Sequence, residues 1–188
     1  MKTRIIVLIV VAFAIVLGGC GFVGARNKLA TEREAISGQW SQVDADLQRR
    51  ADLIPNLVET VKGYAKEETG VVQSVANARA ALGGARTPED KIQANNQLDG
   101  ALSRLLVVVE NYPNLKANEN FRQLQFELAG TENRILQSRR RYNEAVQTYN
   151  TDLSLFPANV VASISGFQRE DAYFKPEPGA RTVPKVQF

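Results

Sequence analysis

Histidine is absent from this 188-residue sequence, and cysteine, methionine and tryptophan each occur once. Ser-His-Asp and Cys-His catalytic groups both need a histidine, and zinc sites need histidine or several cysteines. The single Cys20 also excludes an intramolecular disulfide. Neither the P-loop glycine motif nor the dinucleotide-binding glycine motif occurs. These absences predict a protein that is not an enzyme and that binds no metal or cofactor.

Paired carboxylates are the acid–base chemistry that this composition leaves open. Glycosidase-type hydrolysis needs two carboxyl groups about 5–10 Å apart, and Glu67-Glu68 and Glu89-Asp90 are adjacent acidic pairs. Adjacent residues on a helix point in different directions, however. A carboxylate-based hydrolase therefore ranks below a binding function.

The excess of basic over acidic residues is small and lies at the N-terminus. Lysine and arginine number 23 against 20 aspartates and glutamates, which gives a net charge of +3. Lys2 and Arg4 account for most of this excess, because no acidic residue precedes Glu32. The remainder of the chain is nearly neutral and provides no basic surface for nucleic acid. We expect no nucleic-acid partner.

The N-terminus has the layout of a membrane-targeting segment. Lys2 and Arg4 precede an uninterrupted apolar run at residues 5–17, and Leu17-Gly18-Gly19-Cys20 follows. These four residues resemble the bacterial lipobox, which predicts that Cys20 is lipidated and becomes the mature N-terminus. The alternative is an uncleaved transmembrane anchor, because residues 5–25 carry no charge and about 20 apolar residues span a bilayer. Both interpretations place residues 30–188 outside the cytoplasm, attached to the cell membrane or outer membrane.

Apolar residues recur every three or four positions through the rest of the chain, which is the spacing of an amphipathic helix. No segment sustains the alternation typical of a strand. The predicted stripes are Ile36, Trp40, Val43, Leu47, Ala51 and Ile54; Val58, Val61, Ala65, Val72, Val75 and Leu82; Ile92, Leu98, Leu102, Leu105, Val109 and Tyr112; and Phe121, Leu124, Leu128, Ile135, Tyr142, Val146, Tyr149 and Leu153.

Proline, glycine and capping residues divide these stripes. Pro55 predicts either a kink or the first turn of a new helix. Thr87 has the position of an N-cap before Pro88 and two acids. A proline then ends the third stripe in a tight turn at residues 112–118, and Asn118 or Asn120 caps the last long helix. A short helical piece at residues 158–165 precedes an extended tail.

The predicted fold is all-α, an antiparallel up-and-down bundle of three to four helices behind the membrane-targeting segment. Each helix would have about 25–35 residues. The predicted division is a signal or anchor segment at residues 1–25, the helical bundle at residues 26–165, and the C-terminal tail at residues 166–188.

Several motifs, in the same order along the chain, resemble those of LemA-family proteins. The resemblance covers roughly residues 24–175. It implies a membrane-anchored bacterial helical bundle without an established catalytic activity, whose partners would be envelope proteins such as a TPM-domain protein or a membrane metalloprotease. The motifs are WSQVD at residues 40–44, RRADLIPNLV at 49–58, YPNLKAN at 112–118, TENRI at 131–135, Tyr142-Asn143, Tyr149-Asn150 and Phe156-Pro157.

One helical face is the best candidate for binding a partner. Asp52, Asn56 and Glu59 are spaced four and three residues apart beside Pro55, so they share a face of a helix. The alternative is that these polar groups only cap and solvate the helix. We expect a non-enzymatic protein that scaffolds membrane proteins, and the competing function is binding of a lipid or small ligand in a bundle groove.

Overall fold

The computed structural model describes residues 2–174, apart from the side chains of Lys2, Thr3, Val7 and Ala14. Helix is the only regular secondary structure in this range, which confirms the predicted all-α class. The helices are α1 (Lys2–Tyr64), α2 (Thr69–Gly84), α3 (Pro88–Val109), α4 (Pro113–Ala117), α5 (Glu119–Asp152) and α6 (Ala158–Ser165).

The chain divides into two compact units, which we describe separately. Among the described residues, the anchor unit consists of residues 2–41 and 140–171, and the bundle unit consists of residues 42–139 and 172–174. Helices α1 and α5 each contribute one part to each unit.

The bundle unit has the predicted up-and-down topology. Lys91 at the start of α3 pairs with Asp44 of α1, and Arg50, further along α1, pairs with Asp99, further along α3, so these two helices run in the same direction. Arg50 also pairs with Glu132 of α5, whereas the earlier α1 residue Asp46 bonds to the later α5 residue Ser138. Helix α5 therefore runs antiparallel to α1. The short 85–87 connection reverses the chain between α2 and α3.

The predicted apolar stripes form the buried surfaces of the helices. Leu105 and Ile135 are fully buried, as are Tyr142 and Tyr149 to within 2%. Six members of the stripes are only half-buried, and these are Trp40, Ile92, Tyr112, Leu124, Leu128 and Leu153.

Two polar residues of α5 occupy buried positions that the apolar pattern omitted. Thr131 and Ser138 are buried to within 1%. They continue the alternating three- and four-residue spacing set by Phe121, Leu128 and Ile135, which is the spacing of a helix that packs along one seam. The buried face of α5 therefore includes the hydroxyl side chains of Thr131 and Ser138.

Pro55 does not begin a new helix, and most helix lengths differ from the prediction. Helix α1 continues through Pro55 to Tyr64, and the break falls at residues 65–68. Gly63 and Gly70 flank this break, and glycine is the poorest helix former after proline. The helices range from 5 to 63 residues, and α5, with 34 residues, has a length within the predicted range of about 25–35.

Most other boundaries agree with the prediction. The Thr87 hydroxyl accepts a hydrogen bond from the Asp90 backbone N–H at 3.1 Å, and Asn118, not Asn120, caps α5 by accepting from Phe121 N–H at 3.0 Å. Helix α6 has the predicted bounds, whereas the 112–118 turn contains the short helix α4. Residues 166–174 have no regular structure, and the rest of the predicted tail lies outside the described residues.

Candidate functional site

The first candidate site is the apolar N-terminal part of α1. Its apolar side chains are mostly exposed, and it is long and apolar enough to cross a membrane. Cys20 is exposed on α1, with glycines on either side of it. The segment fits a membrane location, and the lipidation of Cys20 stays a prediction.

The second candidate site is the Pro55 face, formed by Asp52, Pro55, Asn56 and Glu59. All four residues are exposed on α1 within the bundle unit. Two of these residues make side-chain hydrogen bonds within α1: Gln48 Nε2 donates to Asp52 Oδ1 at 2.8 Å, and Lys62 Nζ donates to Glu59 Oε1 at 2.9 Å. The structure therefore brings the four predicted residues together on one exposed surface of a regular helix.

An arginine of α2 explains how α1 tolerates Pro55. Proline has no backbone N–H, so the carbonyl four residues earlier, at Ala51, loses its helical hydrogen bond. Arg79 of α2 donates from Nε to the Ala51 carbonyl oxygen at 2.9 Å. The proline therefore leaves a carbonyl that a neighbouring helix satisfies. No local sequence pattern joins residues 28 positions apart.

A charge network fills part of the interior of the bundle unit. Arg50, which is 7% exposed, lies 2.6 Å from Asp99 of α3 and 2.8 Å from Glu132 of α5. The Asn95 amide oxygen is 3.3 Å from Arg50, and its amide nitrogen donates to Asp99 at 2.9 Å. Buried charges are stable only when they are paired and hydrogen-bonded. The network thus fixes α3 and α5 against α1.

Arg139 gives this network its second cation. Its guanidinium lies 3.7 Å from Asp99 and 4.8 Å from the centre of the Phe174 ring. Two guanidinium groups therefore balance the carboxylates of Asp99 and Glu132. This balance favours a structural role for the network over acid–base chemistry.

Three charged residues of the anchor unit meet where α5 ends. Lys28 Nζ lies 2.6 Å from Asp152 and 3.8 Å from Glu32. Burial, followed by a hydrogen bond to Asp152, raises the pKa of Glu32 to about 7. Hydrogen bonds from Lys28 and then Glu32 lower the pKa of Asp152, and the same Asp152 contact raises the pKa of Lys28.

The polypeptide after α6 is held against the end of α5. The Tyr149 hydroxyl donates to the Gln168 carbonyl at 2.9 Å. The buried Asn150 amide donates to the Glu170 carbonyl at 2.7 Å and accepts from the Glu170 N–H at 3.0 Å. The two bonds of the Asn150 amide resemble those between paired extended strands. The Tyr149-Asn150 motif therefore also holds the backbone of residues 168–170 by hydrogen bonds. A cavity of about 300 Å³ lies beside them and is bordered by Arg33, Ile36 and Ser37.

One predicted carboxylate pair directly precedes α2, and the other lies at the start of α3. Glu68 accepts a hydrogen bond from the Tyr112 hydroxyl at 3.2 Å, while Glu89 and Asp90 occupy the first turn of α3. Within residues 2–174, no group of three or more His, Cys, Asp or Glu side chains is arranged to hold a metal ion.

An open groove between α2 and α3 has a volume of about 740 Å³. Ligand pockets of this size are usually lined by apolar and aromatic side chains. Amide and small side chains dominate this lining, and no aromatic or large aliphatic side chain is among its residues. Its residues are Gly70, Gln73, Ser74, Asn77, Ala78, Asn96, Gln97, Gly100, Ala101 and Arg104.

Fold and sequence together define a helical protein with an N-terminal apolar segment and a four-helix bundle unit. The model of the LemA family matches residues 39–188, so the chain belongs to the LemA family. The resemblance inferred from the motifs is thereby confirmed.

The chain is also similar to individual proteins. It is 28% identical to magnetosome protein MamQ 2 of Paramagnetospirillum magneticum over 182 residues, covering 83% of this chain and 66% of that protein. It is 25% identical to magnetosome protein MamQ of Magnetospirillum gryphiswaldense over the same coverage. Protein LemA of Metamycoplasma hominis is 25% identical over 142 residues, covering 75% of this chain and 65% of that protein. The chain therefore spans about two thirds of the length of these relatives. The matches fit a membrane-associated helical protein.

Proposed function

We propose that this LemA-family protein is a non-enzymatic scaffold of the bacterial envelope. Its N-terminal segment attaches it to the cell membrane or outer membrane, with the bundle on the periplasmic or extracytoplasmic side. The Pro55 face binds other membrane proteins, and a TPM-domain protein or a membrane metalloprotease is the first partner to test.

The observation that carries this proposal is the exposure of four clustered side chains on one continuous helix. Asp52 and Glu59 present two carboxylates to solvent, and they bond to Gln48 and Lys62, which are neighbouring residues of α1. Short-range bonds of this kind are worth little in stability. A partner can therefore replace them at small cost and recognise both charges.

Membrane attachment supports the same function. A protein confined near a bilayer meets other anchored proteins at a high effective concentration, so a modest interface is enough for occupancy. The exposed apolar segment of α1 provides this confinement.

A charge-reversal pair tests the proposal. Asp52→Lys with Glu59→Lys should leave a folded, membrane-attached protein by circular dichroism and fractionation. We expect crosslinking to specific partners to fall by about tenfold or more, because like charges across an interface cost several kcal/mol.

A matched control separates recognition from general charge effects. Glu110→Lys with Glu144→Lys also reverses two exposed carboxylates and breaks a similar exposed ion pair, Glu110 with Lys116 at 2.6 Å. Crosslinking should persist in this control. If the Asp52→Lys, Glu59→Lys variant crosslinks as much as this control, the Pro55 face is not the binding surface. A hydrolytic activity that is lost on substitution of one carboxylate would overturn the non-enzymatic function.

A further inference from the structure

Helix α6 exposes an unusually apolar side for its length. Phe156, just before the helix, is 83% exposed, and Val160 and Ile164 are 49% and 69% exposed. Val160 and Ile164 are four residues apart and therefore share one side of α6. Val161 and Ala162 are buried on the other side. We call Phe156, Val160 and Ile164 the α6 stripe.

The α6 stripe follows the end of α5 that lies beside the anchor segment. Trp40 of α1 packs edge-on against Tyr142 of α5, with ring centres 5.3 Å apart, and Lys28 pairs with Asp152 at 2.6 Å. Later residues of α5 therefore lie beside earlier residues of α1, so α5 runs toward the anchor. Phe156 comes four residues after Asp152.

The chain on the other side of α6 is fixed at the same end. Gly166 adopts a left-handed conformation, with φ of 74°, and ends α6. Gln168 and Glu170 then bond to Tyr149 and Asn150 near the end of α5. The segment before α6 therefore follows the Lys28–Asp152 ion pair, and the segment after α6 is hydrogen-bonded to the same end of α5.

The apolar segment ends very near this point. Residues 5–25 carry no charge, and Lys28 lies three residues beyond them, about 4.5 Å along a helix. With a lipidated Cys20 instead, the acyl chains would enter the bilayer eight residues before Lys28, about 12 Å along the helix. Either attachment places a bilayer surface at the α6 end of the anchor unit.

We infer that the α6 stripe lies on the lipid bilayer next to the anchor segment, with its apolar side chains in the headgroup–acyl boundary. Amphipathic helices that lie in a membrane interface bury their apolar side in this way. Arg26 and Arg33 are exposed on the adjoining part of α1, where they can attract anionic headgroups. This contact gives the anchor unit a second attachment point and so restricts its tilt on the membrane.

This inference depends on membrane attachment and not on the Pro55 face, so the two can fail independently. The test replaces Phe156 with the photoreactive residue p-benzoylphenylalanine in the full-length protein, within membranes of the producing bacterium. Phe126 is the matched control, because it is another phenylalanine, 76% exposed, on α5 within the bundle unit. After irradiation, mass spectrometry measures lipid adducts on tryptic peptide 142–169 for the first variant and on peptide 123–134 for the control. Neither peptide contains Cys20, so natural lipidation does not contribute.

We expect about tenfold more lipid adduct at Phe156 than at Phe126, because a side chain in the headgroup–acyl boundary is in continuous contact with lipid. Ile164→p-benzoylphenylalanine should give the same enrichment. Equal lipid labelling at Phe156 and Phe126 would overturn the inference. A predominant protein adduct at Phe156 would overturn it as well, and would identify the stripe as a protein-binding surface.

Discussion

Pro55 shows how a single residue depends on a distant partner. A proline inside a helix leaves the carbonyl four residues earlier without its backbone donor. The Arg79 guanidinium supplies a donor to that carbonyl from α2. Pro55 of the RRADLIPNLV motif therefore removes a backbone hydrogen bond, and a residue outside the motif, Arg79, replaces it.

This pairing predicts non-additive effects on stability. Arg79→Met should lower the free energy of unfolding by about 1–3 kcal/mol, because the Ala51 carbonyl is left without a donor. With Pro55→Ala present, the backbone N–H restored at position 55 satisfies the carbonyl, and the cost of Arg79→Met should shrink by about 1 kcal/mol or more. Thermal unfolding of the four full-length proteins in detergent measures this coupling. Additivity to within about 0.5 kcal/mol would refute it.

At the scale of elements, the charge network determines how the helices of the bundle unit are joined. Arg50 contacts α3 and α5 through carboxylates, whereas the neighbouring Arg49 is 62% exposed in its side chain and lies 3.7 Å from Glu127. Two adjacent arginines on one helix therefore provide a buried and an exposed ion pair for comparison.

Removal of the buried arginine should be far more costly than removal of the exposed one. We expect Arg50→Met to destabilise the protein by about 3–5 kcal/mol, because it leaves two carboxylates facing each other without their main cation. Arg49→Met should cost about 1 kcal/mol or less. Thermal or urea unfolding of the full chain compares them. Similar losses would mean that the network does not hold the helices together.

The Lys28, Glu32 and Asp152 cluster makes the anchor unit sensitive to pH. Folding raises the pKa of Glu32 from 4.5 to about 7, so the folded state binds a proton more tightly than the unfolded state. This contribution to stability is complete below about pH 4.5 and is lost as the pH rises through 7. Asp152 and Lys28 keep their charges across this range, because their pKa values are lowered and raised respectively.

Replacing Glu32 with glutamine should remove that dependence. Between pH 5 and pH 8 the melting temperature of the wild type should fall relative to Glu32→Gln. Fluorescence of Trp40, the only tryptophan, reports unfolding of the anchor unit that contains it. Arg33 and Tyr149 also face this cluster, and burial raises the pKa of the Tyr149 hydroxyl above its ordinary value. Parallel pH profiles for the two proteins would show that Glu32 does not carry the effect.

The sequence predicted those elements whose determinants are local. The cap at Thr87, the bounds of α6 and the buried face of α3 follow from neighbouring residues. The continuation of α1 through Pro55 does not, because it depends on Arg79 of another helix. The buried Arg50 network was not predicted for the same reason. Charged residues are expected to be exposed to solvent, and the partners that allow Arg50 to be buried come from other helices. The Pro55 face was predictable as a surface because exposure follows from helical spacing.

At the scale of the whole molecule, attachment determines where binding occurs. Cys20 is exposed and follows the apolar run, so processing as a lipoprotein should remove residues 1–19 and acylate this cysteine. Mass spectrometry of the protein extracted from membranes should show both changes. Cys20→Ser should then prevent processing and leave residues 1–19 in place. Recovery of an intact Met1 with an unmodified Cys20 from the wild type would instead establish the transmembrane anchor.

The proposed scaffold function makes one claim above all, that the Pro55 face contacts a membrane protein in the cell. Photo-crosslinking from p-benzoylphenylalanine at Asn56 in living cells measures this contact directly, with the exposed amide residue Gln93 of α3 as the control position. We predict a discrete protein adduct from Asn56 that is absent from Gln93 and is lost when Asp52→Lys and Glu59→Lys are added. No protein adduct at Asn56, or the same adduct at Gln93, would contradict the proposed function.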